Sequence, residues 1–385
     1  MLVPGLSSMG ERGIIARLFL RTLQPSRENP ATRTGAARRD PLVAPPAWQP
    51  LPNLKPVYIV GMPRSGTTWL AWLLAQHPAV TTLHQSGLFY AFDHLRKWWT
   101  RDVRFSRWVC TAGVPPPAGS LYDVSSSADE LSQDALHAYC RHMAAHIYGE
   151  LAARTSGLKV VVEQTPEHLA LSSFIESVFP EASFLHLVRD PRAVYVSMRE
   201  AVSSWADARS FPTNPIQAAA AWKRSVKLGG ELAARSKNYY LVRYEALHAA
   251  GPEELQRMLE WLGLDTDLAA CQRAVEACRI DKLRDKTQAE RGFFRTGSAG
   301  AWQDEISRST LRAIEYVCGD ELEAWGYERL HPRSRSKPLG VAAYEATARV
   351  LSGLRGKARF LRGPGRLIKR VQRTAELTQT FQKAR

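Results

Sequence analysis

Residues 57–69 read VYIVGMPRSGTTW, and no other stretch of the chain restricts its fold so tightly. Val57, Tyr58, Ile59 and Val60 form a short apolar run of β-branched and aromatic residues, the pattern of a buried strand. Gly61 to Gly66 bound a loop that needs glycine to turn tightly. Thr67 and Thr68 then open a helix whose apolar positions are Leu70, Leu73 and Leu74. A strand, a glycine-bounded loop and a helix N-terminus in succession make an anion site, because backbone N–H groups and the helix dipole converge on one phosphate. The loop departs from a nucleoside-triphosphate loop at one position. G-x-x-x-x-G-K-[ST] would put lysine at 67 to reach the β- and γ-phosphates, whereas that position is Thr67 and the cation, Arg64, lies inside the loop. A ligand with one 5′-phosphate and a different bond to break fits better than ATP or GTP.

The same residues resemble the sulfotransferase family, whose donor is 3′-phosphoadenosine-5′-phosphosulfate (PAPS). Arg64, Ser65, Gly66, Thr67, Thr68 and Trp69 match its 5′-phosphosulfate loop, which begins with lysine or arginine. The resemblance implies that Trp69 stacks on adenine. A second segment, SFLHLVRDPRAVYVSMR at 183–199, repeats the strand–turn–helix frame. Phe184 to Val188 is a buried strand, Asp190 a good N-cap and Pro191 a good first helical residue. The family's 3′-phosphate motif places an arginine and a serine eight residues apart here, and Arg189 and Ser197 have that spacing. A terminal phosphate calls for such a bidentate cation with a hydroxyl donor.

Two weaker matches follow. FFRTGSAGAW, near residue 295, resembles the family's late loop R-x-G-x-x-G-x-W, with Arg295, Gly297, Gly300 and Trp302 in register. In the family the arginine and a glycine N–H of that loop close on the 3′-phosphate. Two lysines usual there are Thr296 and Gln303, which implies a looser clamp. The strand at 239–243 runs into Tyr244-Glu245, and the resemblance implies that Tyr244 reaches the adenine. Asp190 and Glu245 read as structural.

The family's reaction is in-line transfer of a sulfuryl group to an acceptor oxygen or nitrogen, with 3′-phosphoadenosine-5′-phosphate (PAP) leaving. It needs a cation on the breaking bond and a base for the acceptor proton. Arg64 is the expected cation, since a guanidinium stabilises charge without giving up a proton. Two residues compete as base. Relatives with a similar HP-x-V segment carry a glutamate six residues beyond the proline, and counting from Pro78 that position is His84. The other is Glu163 in VVEQTP, which resembles the E-K-[ST]-P strand end of several sulfotransferases, with Gln164 in place of the lysine. No metal is called for, since no cluster shows ligand spacing.

The chain has 385 residues, 45% of them apolar, enough for one large α/β domain. Its formal net charge of +15 sits at the ends: residues 1–50 carry +4, residues 331–385 carry +12, and the stretch between is close to neutral. A nucleic-acid protein would place its basic stripe on the fold, so no nucleic-acid partner is expected. The expected organisation is a basic arm at 1–50, the sulfotransferase domain at 51–330 and a basic tail at 331–385. Strands alternating with helices imply a three-layer α/β fold of the P-loop NTPase type, a central parallel sheet flanked by helices. Helices are expected near 214–235, 252–262 and 305–325, while residues 83–155 are mixed in pattern.

No apolar run is long enough to span a membrane, Gly13–Leu20 is too short for a secretory signal, and the five cysteines read as reduced thiols, so the cytoplasm is the expected location. In the tail, Val350, Leu351, Leu354, Ala358 and Leu361 fall at helical spacing among arginines and lysines, a basic amphipathic pattern suited to peripheral contact with an anionic membrane. The aromatic density at 89–108 (Phe89, Tyr90, Phe92, Trp98, Trp99, Phe105, Trp108) suits either an acceptor pocket or a core helix. A small molecule, lipid or carbohydrate acceptor stays open. Two other classes fit parts of the chain: a small-molecule kinase, which lacks its lysine at 67, and a non-catalytic nucleotide-binding protein, against which Arg64, Arg189 and Ser197 argue.

Overall fold

The computed structural model describes residues 54–98, 133–204, 207–279, 281–283, 300–332, 337–344 and 346–347. The arm at 1–50, Trp99 to Trp108, the loop residues Arg295 and Gly297, and the amphipathic tail from 350 onward lie outside the described residues.

Strand β1 (Lys55–Gly61) is buried from Pro56 onward, as expected of a parallel strand covered on both faces. It leads into helix α1 (Thr67–Leu74), strand β2 (Val80–His84) and helices α2 (Leu88–Trp98) and α3 (Gln133–Ala152). Strand β3 (Val160–Gln164), a 3₁₀ turn at Pro166–Leu171 and helix α4 (Ser172–Val178) follow. Strand β4 (Ser183–Val188) then feeds helix α5 (Pro191–Ser204), and helix α6 (Pro215–Arg235) feeds strand β5 (Tyr239–Arg243). The last elements are α7 (Tyr244–Ala249), α8 (Gly251–Trp261), α9 (Leu268–Ala277), a 3₁₀ turn at Ala301–Asp304 and α10 (Arg308–Ala324).

The five strands form one parallel sheet in the order β2-β3-β1-β4-β5. Strand alternation sends Val57 and Ile59 to one face, where they pack with Leu70, Leu73 and Leu74 of α1 and with α8 and α9. Tyr58 and Val60 go to the other face, against Phe89 of α2, Leu136 and Tyr148 of α3 and Ile175 of α4. A third cluster, centred on Trp222, joins α5, α6 and α10. This is the three-layer α/β fold the sequence predicts. The chain leaves β1 for β2 and β3 on one side and later crosses to β4 and β5 on the other, so the crevice of the sheet opens at the carboxyl end of β1.

Three local differences from the sequence reading have physical causes. The mixed region contains α3, whose buried Leu136, Cys140, Ala144 and Tyr148 repeat every four residues. Tyr244 opens α7 rather than ending β5, and it is buried. Packing also continues past residue 330: Val341 is buried against Ile216 and Ala313, and Gln217 donates to the Tyr344 hydroxyl at 3.0 Å.

Candidate active site

The turn after β1 is built on two glycines that nothing else could replace. Gly61 has φ +147°, and a Cβ there would lie 2.4 Å from the Leu187 carbonyl oxygen. Gly66 has φ +101°, and its Cβ would lie 2.7 Å from the Tyr244 ring. Between them Arg64 holds φ +71°, a left-handed conformation that costs a residue with a Cβ about 1–2 kcal/mol. Such strain persists only where surrounding structure enforces it. Gly66 is the N-cap of α1, and among the described residues no side chain caps that helix, so its leading N–H groups face the crevice. Ser65 is fully buried, and its Oγ has no partner among the described residues.

The β4–α5 junction brings the second motif to the same place. Arg189 follows β4; its Nη1 donates to the Arg64 carbonyl at 3.3 Å, and its guanidinium lies 4.0 Å over the Tyr244 ring. The Trp222 indole N–H donates to the Arg189 carbonyl at 2.9 Å and fixes the backbone there. The buried Nε of Arg189 has no partner among the described residues. Ser197, two turns into α5, accepts from Arg64 Nε at 3.1 Å. Trp69 meets Tyr244 edge-on at 5.9 Å and donates its indole N–H to the Cys278 carbonyl at 3.0 Å. Arg64, Ser65, Gly66, Thr67, Trp69, Arg189, Ser197 and Tyr244 therefore converge on one crevice. An unsatisfied buried donor costs about 1–3 kcal/mol, so the open positions on Ser65 and Arg189 suit an anionic ligand. The donor set fits the two phosphate ends of an adenosine bisphosphate.

The two candidate bases stand apart. β2 and β3 pair so that His84 lies opposite Gln164, on the face that carries α1. His84 Nδ1 is 3.4 Å from Gln164 Oε1, and Gln164 Nε2 donates to Thr67 Oγ1 at 3.0 Å. His84 Nε2 is 3.1 Å from Thr82 Oγ1, and the Trp72 ring of α1 stands edge-on at 6.1 Å. His84 is half-buried and tied through Gln164 to the donor loop. Glu163, one residue earlier on β3, points to the opposite face and is 1% exposed. Its carboxylate accepts from Ser86 Oγ and, at 3.2 Å, from the Tyr148 hydroxyl. Burial pushes its carboxyl up to about 7, against the lowering effect of those two hydrogen bonds. His168, 3.4 Å away, is pushed down to about 3 by burial. Among the described residues no group of three or more His, Cys, Asp or Glu side chains is placed to hold a metal ion.

Residues 56–267 match the family model described as "Sulfotransferase family". The chain belongs to the sulfotransferase family. It is an enzyme of sulfuryl transfer. The nodulation protein NoeE of Sinorhizobium fredii is 26% identical over 325 residues, 78% of this chain and 73% of NoeE. A putative protein-tyrosine sulfotransferase of Caenorhabditis briggsae is 25% identical over 287 residues, 73% of this chain and 91% of that protein. A solved mouse sulfotransferase, SULT7A1 complexed with PAP, is 13% identical with a TM-score of 0.43, covering 70% of this chain and 85% of that one.

Several residues packed around these positions carry no signal in the sequence. Ser86 and Tyr148 complete the Glu163 cluster from α2's leading turn and from α3. Arg192 is a buried hub: its guanidinium donates to both Asp190 oxygens, to Glu315 at 3.0 Å and to the Glu328 carbonyl at 3.0 Å, and it covers the Trp302 ring at 4.2 Å. Asp190 also accepts from the Arg192 backbone N–H at 2.8 Å, and its own N–H donates to Glu245 at 3.0 Å. Both acids have the structural surroundings the sequence reading gave them. Phe89 and Phe92 are buried in the core, while Tyr90 is 40% exposed.

Proposed function

We propose that this sulfotransferase takes PAPS as donor and passes its sulfuryl group to an acceptor hydroxyl, with Arg64 as the cation of the transfer and His84 as the base. The observation that carries this reading is the pair of open donors, Arg189 Nε and Ser65 Oγ, beside the uncapped N-terminus of α1. PAPS supplies a sulfuryl group activated by a 5′-phosphate that leaves readily. The N–H groups of α1, with Ser65, Thr67 and Thr68, hold the 5′ end. Arg189 and Ser197 hold the 3′-phosphate, and Trp69 and Tyr244 flank the adenine. Arg295 and Gly297, from the late loop, belong to the same 3′ clamp.

Arg64 reaches Ser197 from the 5′ loop, so its guanidinium lies between the two phosphate ends and can follow charge as it grows on the leaving oxygen. His84 acts at the other side. Gln164 donates its amide to Thr67, which turns its oxygen toward His84 Nδ1. Nδ1 then carries the proton and Nε2 the lone pair. Nε2 takes the acceptor proton once the Thr82 hydroxyl rotates away. The acceptor O–S bond forms, the bridging S–O bond to the 5′-phosphate breaks, and PAP leaves with the electron pair. Glu163 is not placed for this step, since it is enclosed on the far face of the sheet. The acceptor is a small-molecule or peptidyl hydroxyl that approaches over the ends of β2 and β3.

The test is transfer from labelled PAPS to a panel of phenols, sugars, lipids and tyrosyl peptides in the presence of a chelator, reading sulfated product and released PAP. His84→Ala should lower turnover about 10²–10⁴-fold and remove an ascending pH limb near 6–7. Full activity in His84→Ala sinks the base assignment. Transfer that needs added divalent metal sinks the metal-free mechanism.

A further inference from the structure

Glu163 stays buried beside the active centre without touching the crevice, and its surroundings form a closed chain of contacts. One carboxylate oxygen accepts from Ser86 Oγ, and that same Oγ accepts the Leu88 N–H, at 3.2 Å, where α2 begins. The other oxygen accepts from Tyr148, whose hydroxyl is 3.2 Å from that of Tyr58 on β1. The turn between His84 and α2 is conformationally demanding, because Gln85 has φ +51° and Gly87 φ +62°. The Gln85 N–H donates to the Gln164 carbonyl at 2.8 Å. The end of β3 therefore grips residues 84–88 at three successive points: Gln164 Oε1 on His84, the Gln164 carbonyl on Gln85, and Glu163 on Ser86.

We propose that Glu163 is a positioning residue for sulfuryl transfer, acting through Ser86 to hold the 84–88 turn so that His84 keeps its place at the donor loop. The proposal rests on the reading of His84 as base. When ionised, the Glu163 carboxyl accepts through both oxygens, and both its neighbours, Ser86 and Tyr148, bring hydroxyl donors. Glutamine would present one N–H₂ face and force one of the two hydroxyls to turn. The ionisable groups facing Glu163 from the packed elements are Tyr148 of α3, Tyr58 of β1 and His168 of the 3₁₀ turn, whose ring is held neutral by burial. The second oxygen is anchored through Tyr148 to the core, so the pull on Ser86 is fixed against α3 and β1.

The experiment is a double-mutant cycle with Glu163→Gln and Ser86→Ala, measuring kcat, donor KM and the pH profile of kcat. Each single variant should lose about tenfold or more in kcat with donor KM unchanged within about twofold, and the double variant should lose no more than either single one. The ascending pH limb should persist in Glu163→Gln. Loss of that limb in Glu163→Gln with full activity in Ser86→Ala would make Glu163 the base and overturn the proposal. Additive losses would overturn it as well. If Glu163→Gln folds poorly by thermal melt, Ser86→Ala and Ser86→Thr decide: Thr restoring kcat supports the clamp, and unchanged kcat in Ser86→Ala removes it. His84→Ala is read separately. If it keeps the limb while the Glu163–Ser86 cycle stays non-additive, the base reading fails and the clamp stands.

Discussion

Arg189 and Arg192 stand three residues apart at one strand–helix junction, both buried, and their surroundings are opposite. Arg192 is surrounded by acceptors: Asp190, Glu315 and the Glu328 carbonyl. Arg189 meets one carbonyl and the face of a tyrosine and, among the described residues, keeps a buried N–H unmatched. The same contrast separates two corners of the sheet. At the end of β1 and β4, Ser65 Oγ and Arg189 Nε are unmatched and no side chain caps α1 among the described residues. At the end of β2 and β3, Glu163 is engaged with Ser86 and Tyr148 on one face, and His84 with Gln164 and Thr82 on the other. A buried arginine whose acceptors are supplied by the protein serves the fold, and one that keeps an unmatched N–H among the described residues has room for a ligand.

The sharpest way to break the comparison is Arg192→Met. Removing one member of a buried ion network leaves Asp190 and Glu315 uncompensated, so unfolding free energy should fall by about 3–5 kcal/mol by denaturant titration. An equal loss in Arg189→Met would erase the distinction.

Arg64→Ala comes next. Turnover should fall about 10²–10³-fold while PAP affinity measured by calorimetry changes much less, because the contact strengthens as charge develops. A loss confined to affinity would move Arg64 from the transition state to simple donor binding.

Glu163 gives a test at the other corner. Its carboxyl is raised from 4.5 to about 7 in the folded chain by burial, so the folded state holds the proton more tightly than the unfolded one. Its contribution to stability is fully present below about pH 4.5 and is lost as pH rises through about 7, a fall of about 3 kcal/mol from this group. Glu163→Gln should flatten that part of the stability–pH curve. A wild-type curve with no such fall would mean that the carboxyl is not desolvated.

The smallest effect is expected in Arg189→Ala, a loss of about 1.5–3 kcal/mol in PAPS affinity. Adenosine-5′-phosphosulfate, which lacks the 3′-phosphate, should bind wild type and variant alike. An equal loss for both ligands would show that Arg189 does not read the 3′-phosphate.

The donor corner was legible in the sequence because its parts are contiguous. Strand, loop and helix at 57–74, and again at 184–197, carry their candidate contacts at fixed local spacing, and the three-layer parallel fold follows from their alternation. The edge corner was legible only as a choice between His84 and Glu163. Its partners come from residues 82–88, 148 and 163–168, and no spacing connects a tyrosine on α3 with a glutamate on β3. Arg192 escaped for the same reason, since two of its three acceptor residues, Glu315 and Glu328, lie more than 120 residues away.

The amino-acid sequence by itself determined the strand–loop–helix frames and the glycines, hydroxyls and cations they bring together, because those constraints act within a dozen residues of backbone. Only the tertiary structure decided which candidate base shares a face with the loop after β1. Glu163 and Gln164 are neighbours on β3, so the pleat sends them to opposite sides of the sheet. The pairing of His84 with Gln164 and the packing of α1 on that face place the histidine with the donor loop and the glutamate with the core. Which helix covers each face is a property of the assembled sheet, decided by packing between elements far apart in the chain.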